Sequence, residues 1–259
     1  MVETEHDLHR AMHLVMEAGS LLLQSGGEVI RVQQTMTIMA ESLGIGDFHV
    51  YVLTNGIFAT ALRGSLSEVR HIPSVTIHLG RVERVNSISR ALAAGRLDLS
   101  SAESALAEAR NLSSYGPRRQ LLSCALGSAC FAILFGGAGA EAAAAFAAGI
   151  SESVVCSTFG KKHISSIFTN IASSFAGTVM VLLLHTLLLP GMDPNIASIG
   201  ALMVLTPGVA LTMGIRDLIS ADFLSGSIRL LSALLVAGCL AAGVALAWMG
   251  YHGLMGVMT

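Results

Sequence analysis

Charge is what this sequence has least of. Only 12% of its 259 residues are Asp, Glu, Lys or Arg, about half of the roughly 25% usual for a soluble domain, while 53% are apolar. That balance excludes an ordinary soluble protein. The net charge of -2 excludes a broadly basic surface, so no nucleic-acid partner is expected. The four cysteines, Cys124, Cys130, Cys156 and Cys239, lie in apolar stretches without CxxC spacing. Neither a disulfide framework nor a zinc site follows from them, and they read as small apolar residues. GxSxG, a Walker loop and a GxGxxG after a strand are all missing, as is HExxH. A soluble catalytic domain is therefore unsupported, and no cofactor and no metal are expected. His6, His9 and His13 do share a helical face, but a solvated face accounts for them better than a metal site. The charged N-terminus lacks the apolar core of a signal peptide.

The charges that exist are unevenly placed. Residues 1–119 carry 23 of the 32, and residues 120–259 carry nine. A water-facing front (1–115) and a lipid-facing back (116–259) follow. A spanning helix needs about 20 mostly apolar residues. Five segments meet that length, at about 120–139, 141–160, 163–189, 195–215 and 230–251. The expected fold is an α-helical polytopic membrane protein with an N-terminal cytoplasmic α+β domain.

The loops give an orientation. Arg118 and Arg119 precede the first span, Lys161 and Lys162 follow the second, and Arg216 and Arg229 lie between the fourth and fifth. With alternating spans all six fall on one side. The positive-inside rule then puts the front domain in the cytoplasm and the C-terminus outside. Five is an odd number, and inverted repeats are a common way to build transporters. A separate membrane subunit or a further copy of the chain is the expected partner.

In the front, 7–24 and 28–43 read as helices, with Met12, Val15, Met16, Leu22 and Leu23 on an apolar face. Gly26-Gly27 separates them and Gly44 ends the second. Segments 48–53 and 57–62 flank Asn55-Gly56, the preferred two-residue hairpin turn. Segments 67–72 and 74–79, split by Pro73, read as two more strands. Segments 86–94 and 100–110 return to helix, the latter opening on a Ser100–Glu103 capping box. In GGEVIRV, Glu28 sits at a helix start, where negative charge suits the dipole, and it can pair with Arg31 three residues on. Capping and function both remain open for that pair.

Polar groups in the apolar half need an explanation. An acid at mid-membrane costs roughly 2.5–3.5 kcal/mol on insertion scales and should face protein or water. Glu141 and Glu152 are nearly three whole turns apart and so share a face. Glu141 falls at the outer boundary; Glu152 falls near the middle, either as a proton carrier or as a structural hydrogen-bonding group. The fourth span contains TPGVALTMGIRDL. Pro207 removes an amide and clashes with the preceding turn, and Gly208 frees the backbone. Either a kink patched by Thr206 results, or a break whose lower half-helix aims amide donors at a carboxylate. Thr206 and Thr212 would add hydroxyls. Arg216 would add a cation at the cytoplasmic mouth, with Arg216-Asp217 at the membrane edge and exposed.

Two stretches, LLLQSGGEVIRVQQTMTIMAESLG and LTPGVALTMGIRDLISADFLSGSIRLLSALL, resemble the threonine/serine exporter family, and more closely its shorter YjjP-type subunits. The order of parts is similar over nearly the whole chain. The resemblance implies export of small hydrophilic metabolites, threonine and serine or dicarboxylates such as succinate, alongside a smaller membrane subunit. It carries Glu28, Arg31, Pro207, Gly208, Thr212, Arg216 and Asp217 over as candidate residues. The family often has Asn after Leu-Thr, where this chain has Met213-Gly214, which puts the substrate in question. The reading is a transporter rather than an enzyme. It works by proton-coupled antiport through Glu152 or Asp217, and Thr206, Pro207, Gly208, Thr212 and Arg216 bind substrate. The alternative is a regulatory or scaffolding membrane subunit that does not itself transport.

Overall fold

A computed structural model describes residues 5–73, 75–113, 115–162 and 164–258. The expected first residue of the 74–79 strand and the expected start of the third span at His163 lie outside them. The chain forms two compact units. The first comprises residues 1–114 together with Met213–Ile228, and the second Tyr115–Thr212 together with Arg229–Thr259.

In the first unit α1 (Glu5–Gln24) is the central helix. Ala11, Met12, Leu14, Val15, Met16 and Leu23 are each at most 1% exposed, as are Met36 and Met39 of the neighbouring helix. Flexible methionine side chains fill the irregular gaps of such a core. The chain turns at Gly26, with φ +85, and at Gly27, where an added Cβ would lie 2.9 Å from the Leu22 carbonyl. Then α2 (Val29–Ser42) begins. It ends as expected at Gly44, in the left-handed region at φ +75; the Ile45 amide donates back to Ala40 O at 2.9 Å.

Three antiparallel strands follow, β1 (His49–Leu53), β2 (Gly56–Ala61) and β3 (Leu66–His71), in that spatial order. Leu53 pairs with Gly56, so the tight loop is Thr54-Asn55 and not Asn55-Gly56. Gly56 is drawn into the sheet, where it also pairs with His71. The expected fourth strand does not form. After Pro73 the chain is instead tied to the end of α1, with Thr76 N–H donating to Gln24 O at 2.8 Å and His78 N–H to Ser25 O at 3.1 Å. The His78 ring then accepts from the Arg81 amide and caps α3 (Leu79–Ala93), which starts about two turns earlier than expected. The capping box of α4 (Leu99–Arg110) is also corrected. Its N-cap is Asp98, whose carboxylate accepts from the Ser101 amide. Glu103 is drawn away to Arg10, 2.6 Å distant, a stronger charge-assisted partner.

The second unit is built on small residues. It holds α5 (Pro117–Leu134), α6 (Gly139–Lys161), α7 (Ser166–Leu187), α8 (Pro194–Met203) and most of α10 (Phe223–Met258). Helices α5 and α6 cross at Gly149, where a Cβ would meet Ala125 Cα at 3.0 Å, and α5 and α8 cross at Gly200, where it would meet Ala132 at 2.7 Å. Glycine and alanine at these crossings let the backbones approach, as in membrane interiors generally. Large apolar side chains, among them Leu126, Phe168, Leu183, Leu231 and Leu234, point outward, these five 50–66% exposed. Helices α6, α7 and α10 are long and apolar enough to cross a bilayer. Helices α8 and α9 (Gly208–Ile219) would make a fourth span if the bent pair counts as one. Helix α5 contains most of the expected first span, but Arg118, Arg119 and Gln120 occupy its first turn.

Candidate functional site

The two stretches that carry the resemblance meet within the first unit. Glu28 is the N-cap of α2, in an extended conformation, and its carboxylate makes no capping bond. It accepts instead from Arg216 of α9 at 2.6 Å, across 188 residues of sequence. The i, i+3 pairing of Glu28 with Arg31 is therefore not made. The reason is geometric: a carboxylate on the non-helical N-cap residue can leave the helix axis and reach a neighbouring guanidinium. Glu28, Ile30, Arg31, Gln34, Arg216, Asp217 and Ser220 line a polar hollow of about 290 Å³. Of the two charges expected at an exposed edge only Arg216 is there, its side chain 59% exposed. Asp217, 3% exposed, is buried in the fold. Beside it the turn into α10 (Phe223–Met258) packs tightly onto α9: a Cβ at Gly226 would collide with Leu218 and the Gly214 carbonyl.

The Pro207-Gly208 interruption is a true break. Helix α8 stops at Met203, α9 starts at Gly208, and the two axes differ by 60°. Thr206 N–H still reaches Leu202 O at 3.1 Å, Gly208 N–H folds back to Thr206 O at 2.8 Å, and Leu211 N–H restarts the helix by donating to Pro207 O. The Thr206 hydroxyl donates to Leu202 O at 3.1 Å and the Thr212 hydroxyl to Gly208 O. Both threonines thus spend their donors on their own helix and keep only oxygen lone pairs for a ligand. Thr206 lines a hollow of about 380 Å³ whose other walls are Leu202, Ala237, Leu240, Ala241, Val244 and Ala245, an apolar lining.

Glu152 stands alone. It is fully buried, and neither carboxylate oxygen has a hydrogen-bond partner among the described residues. It lies flat against Gly177 of α7, where a Cβ would collide with it. One turn on, Cys156 contacts the buried Ser173 hydroxyl at 3.1 Å. Glu141 shares the buried face, as the spacing predicts, but its role is structural. It accepts from the Ala138 amide at 2.8 Å and from the Asp193 amide at 2.9 Å, closing the start of α6 onto the start of α8. Gly177, Ser173, Gln34 and Ser220 escape a reading of the sequence. Each is a common residue whose place is fixed only by which helix it faces.

No group of three or more metal-ligating side chains occurs among the described residues. The chain matches, over residues 13–250, the family model described as "Putative threonine/serine exporter". No curated protein and no solved structure matches it. With the match covering most of its length, the chain belongs to the threonine/serine exporter family, a family of membrane transporters.

Proposed function

We propose that this chain exports small hydrophilic metabolites, threonine and serine or dicarboxylates such as succinate, by alternating access coupled to proton entry. The observation that carries the coupling is Glu152, a carboxylate wholly buried in a span-length helix with both oxygens unpartnered. A group so placed is expensive unless it is used. The break at Pro207-Gly208 serves as the hinge, and Thr206, Pro207, Gly208, Thr212 and Arg216 form the substrate path. Glu28, Arg31, Arg216 and Asp217 act as a gate at the cytoplasmic side. Five spans, α5, α6, α7, the α8–α9 pair and α10, put the N-terminus in the cytoplasm of a bacterial cell and the C-terminus outside, the arrangement favoured by the basic loops. A second subunit or a further copy completes the pathway.

Inverted membrane vesicles test this, because export then appears as uptake. Wild-type vesicles should accumulate threonine or succinate when a proton gradient is applied. Glu152→Gln should abolish the dependence on the gradient. The combined replacement of Pro207 and Gly208 by Ala and Arg216 by Gln should reduce uptake at least tenfold; unchanged uptake would sink the site assignment. The apolar lining of the hollow at Thr206 supports a second reading, in which this chain regulates or scaffolds a partner that supplies the polar path. Transport by the partner alone would favour it.

A further inference from the structure

The first unit holds a further cavity, which shares Glu28 and Arg31 with the gate and whose remaining walls the export reading does not use. It is a groove of about 500 Å³ between α2 and α3, within the range of small-molecule sites. Leu22, Val32, Ile38, Leu79, Val82 and Met213 supply an apolar wall, and Arg31, Arg90, Glu28, Asn86 and the buried Ser89 supply polar groups. The charges are arranged unusually. The Arg31 side chain makes no ion pair among the described residues, and Arg90 spends only Nε, on Asn86 O at 3.2 Å. Two guanidinium groups thus border one groove with their forks unused, and a guanidinium fork matches a carboxylate. Glu28 also lines the groove. Its Oε1 is held by Arg216, while Oε2 has no other partner among the described residues.

We propose that this groove binds a free α-amino acid as an effector. The carboxylate lies on Arg31 and Arg90, the ammonium on Glu28 Oε2, and the side chain against Leu22 and Val82. The proposal rests on the export reading for one point, that the effector belongs to the same class as the cargo. A mono- or dianion without an ammonium would leave Glu28 facing it, a like charge that disfavours binding. A neutral amphiphile would leave two guanidinium groups unanswered. The shared Glu28 gives the binding a consequence: an ammonium on Oε2 draws on the carboxylate that holds Arg216. A filled groove therefore weakens the Glu28–Arg216 pair and favours an open gate, so the protein senses the cytoplasmic amino-acid load before it transports.

The test uses the full-length chain in nanodiscs, with equilibrium binding of labelled L-threonine and L-leucine, and the same variants in inverted vesicles. Wild type should bind at least one of the two, and succinate should compete poorly. Arg90→Gln should weaken that binding about tenfold, the loss expected for one charge-assisted contact of about 1.4 kcal/mol, while Arg90→Lys should recover part of it. In vesicles Arg90→Gln should retain transport at saturating cargo but lose its steep rise at low cargo. Binding unchanged in both Arg31→Gln and Arg90→Gln overturns the proposal, as does succinate displacing L-threonine more effectively than L-leucine does. Wild-type vesicles that transport while no amino-acid binding depends on Arg90 overturn the effector site alone. Wild-type vesicles that transport neither cargo overturn the export reading, and Arg90-dependent binding in the same nanodiscs would then stand by itself.

Discussion

At Glu28 two roles compete for one carboxylate, and the longer reach wins. As the N-cap of α2 it is placed to favour the helix dipole, yet it bonds Arg216 at 2.6 Å. Because the Arg216 side chain is 59% exposed, the pair contributes only about 0.2–1 kcal/mol. A modest energy suits the proposed gate, which must open. Glu28→Arg and Arg216→Glu singly should each change the export rate several-fold, and the double reversal should restore it toward wild type. A double-mutant cycle on initial rates reads this. Deep in the second unit the tolerance is smaller. Gly177→Ala would drive a methyl group into the Glu152 carboxylate, and overpacking of this kind costs about 1–3 kcal/mol. Thermal denaturation should show the variant destabilised, whereas Glu152→Gln, of the same shape, should fold as wild type and lose only its response to a proton gradient.

At the scale of elements, the ends of helices carry most of the specific chemistry. Asp98 opens α4 by accepting from the Ser101 amide at 3.0 Å and the Ser100 hydroxyl at 2.9 Å. These hydrogen bonds, that of Ser101 foremost, hold its carboxyl down at about 2, below the value of about 3.9 for an unfolded chain. A depressed carboxylate stabilises the fold above the unfolded pKa and loses that contribution as pH falls through the folded one. The amide protection of α4 should therefore decline between about pH 4 and 2, and Asp98→Asn should remove that pH dependence; hydrogen exchange measures both. The α8–α9 break is the other decisive end. Its 60° bend follows from the missing proline amide, so Pro207→Ala should let α8 run on toward α9 and slow the proposed alternating-access step. Cysteine-crosslinking yields across the break, compared with and without substrate, should lose their difference in the variant.

For the whole molecule the open quantity is span parity. Helix α5 decides it. Five spans place the two ends of the chain on opposite sides of the membrane and four place them on the same side. A reporter fused after residue 253 should be active outside the cytoplasm while one fused before residue 5 is active within it. Two reporters active on the same side would exclude α5 as a span. The aromatic end of α10 fits a membrane boundary: Trp248 stacks on His252 at 5.4 Å, and Tyr251 OH meets the Thr186 hydroxyl at 3.0 Å. Such rings favour the interface between lipid and water.

The sequence by itself determined most of the helices and their ends. Composition marks out the span-length helices because lipid leaves backbone groups no partner but their own helix. Pro207-Gly208 marks an interruption, kink or break, because a proline has no amide to give, and Gly26-Gly27 and Gly44 mark the ends of α1 and α2. It also showed that Glu141 and Glu152 share a face, since helical spacing is local. Only the tertiary structure decided which partners these residues have. The Glu103 carboxylate goes to Arg10 and not to its own helix, Gly56 is claimed by the sheet rather than the turn, and the segment after Pro73 binds the end of α1 instead of forming a strand. In each case a group close in sequence was outbid by one brought close by packing. The same holds for Glu28 and Arg216, which lie 188 residues apart: their pairing is a property of contacts between elements, and no periodicity along the chain records it.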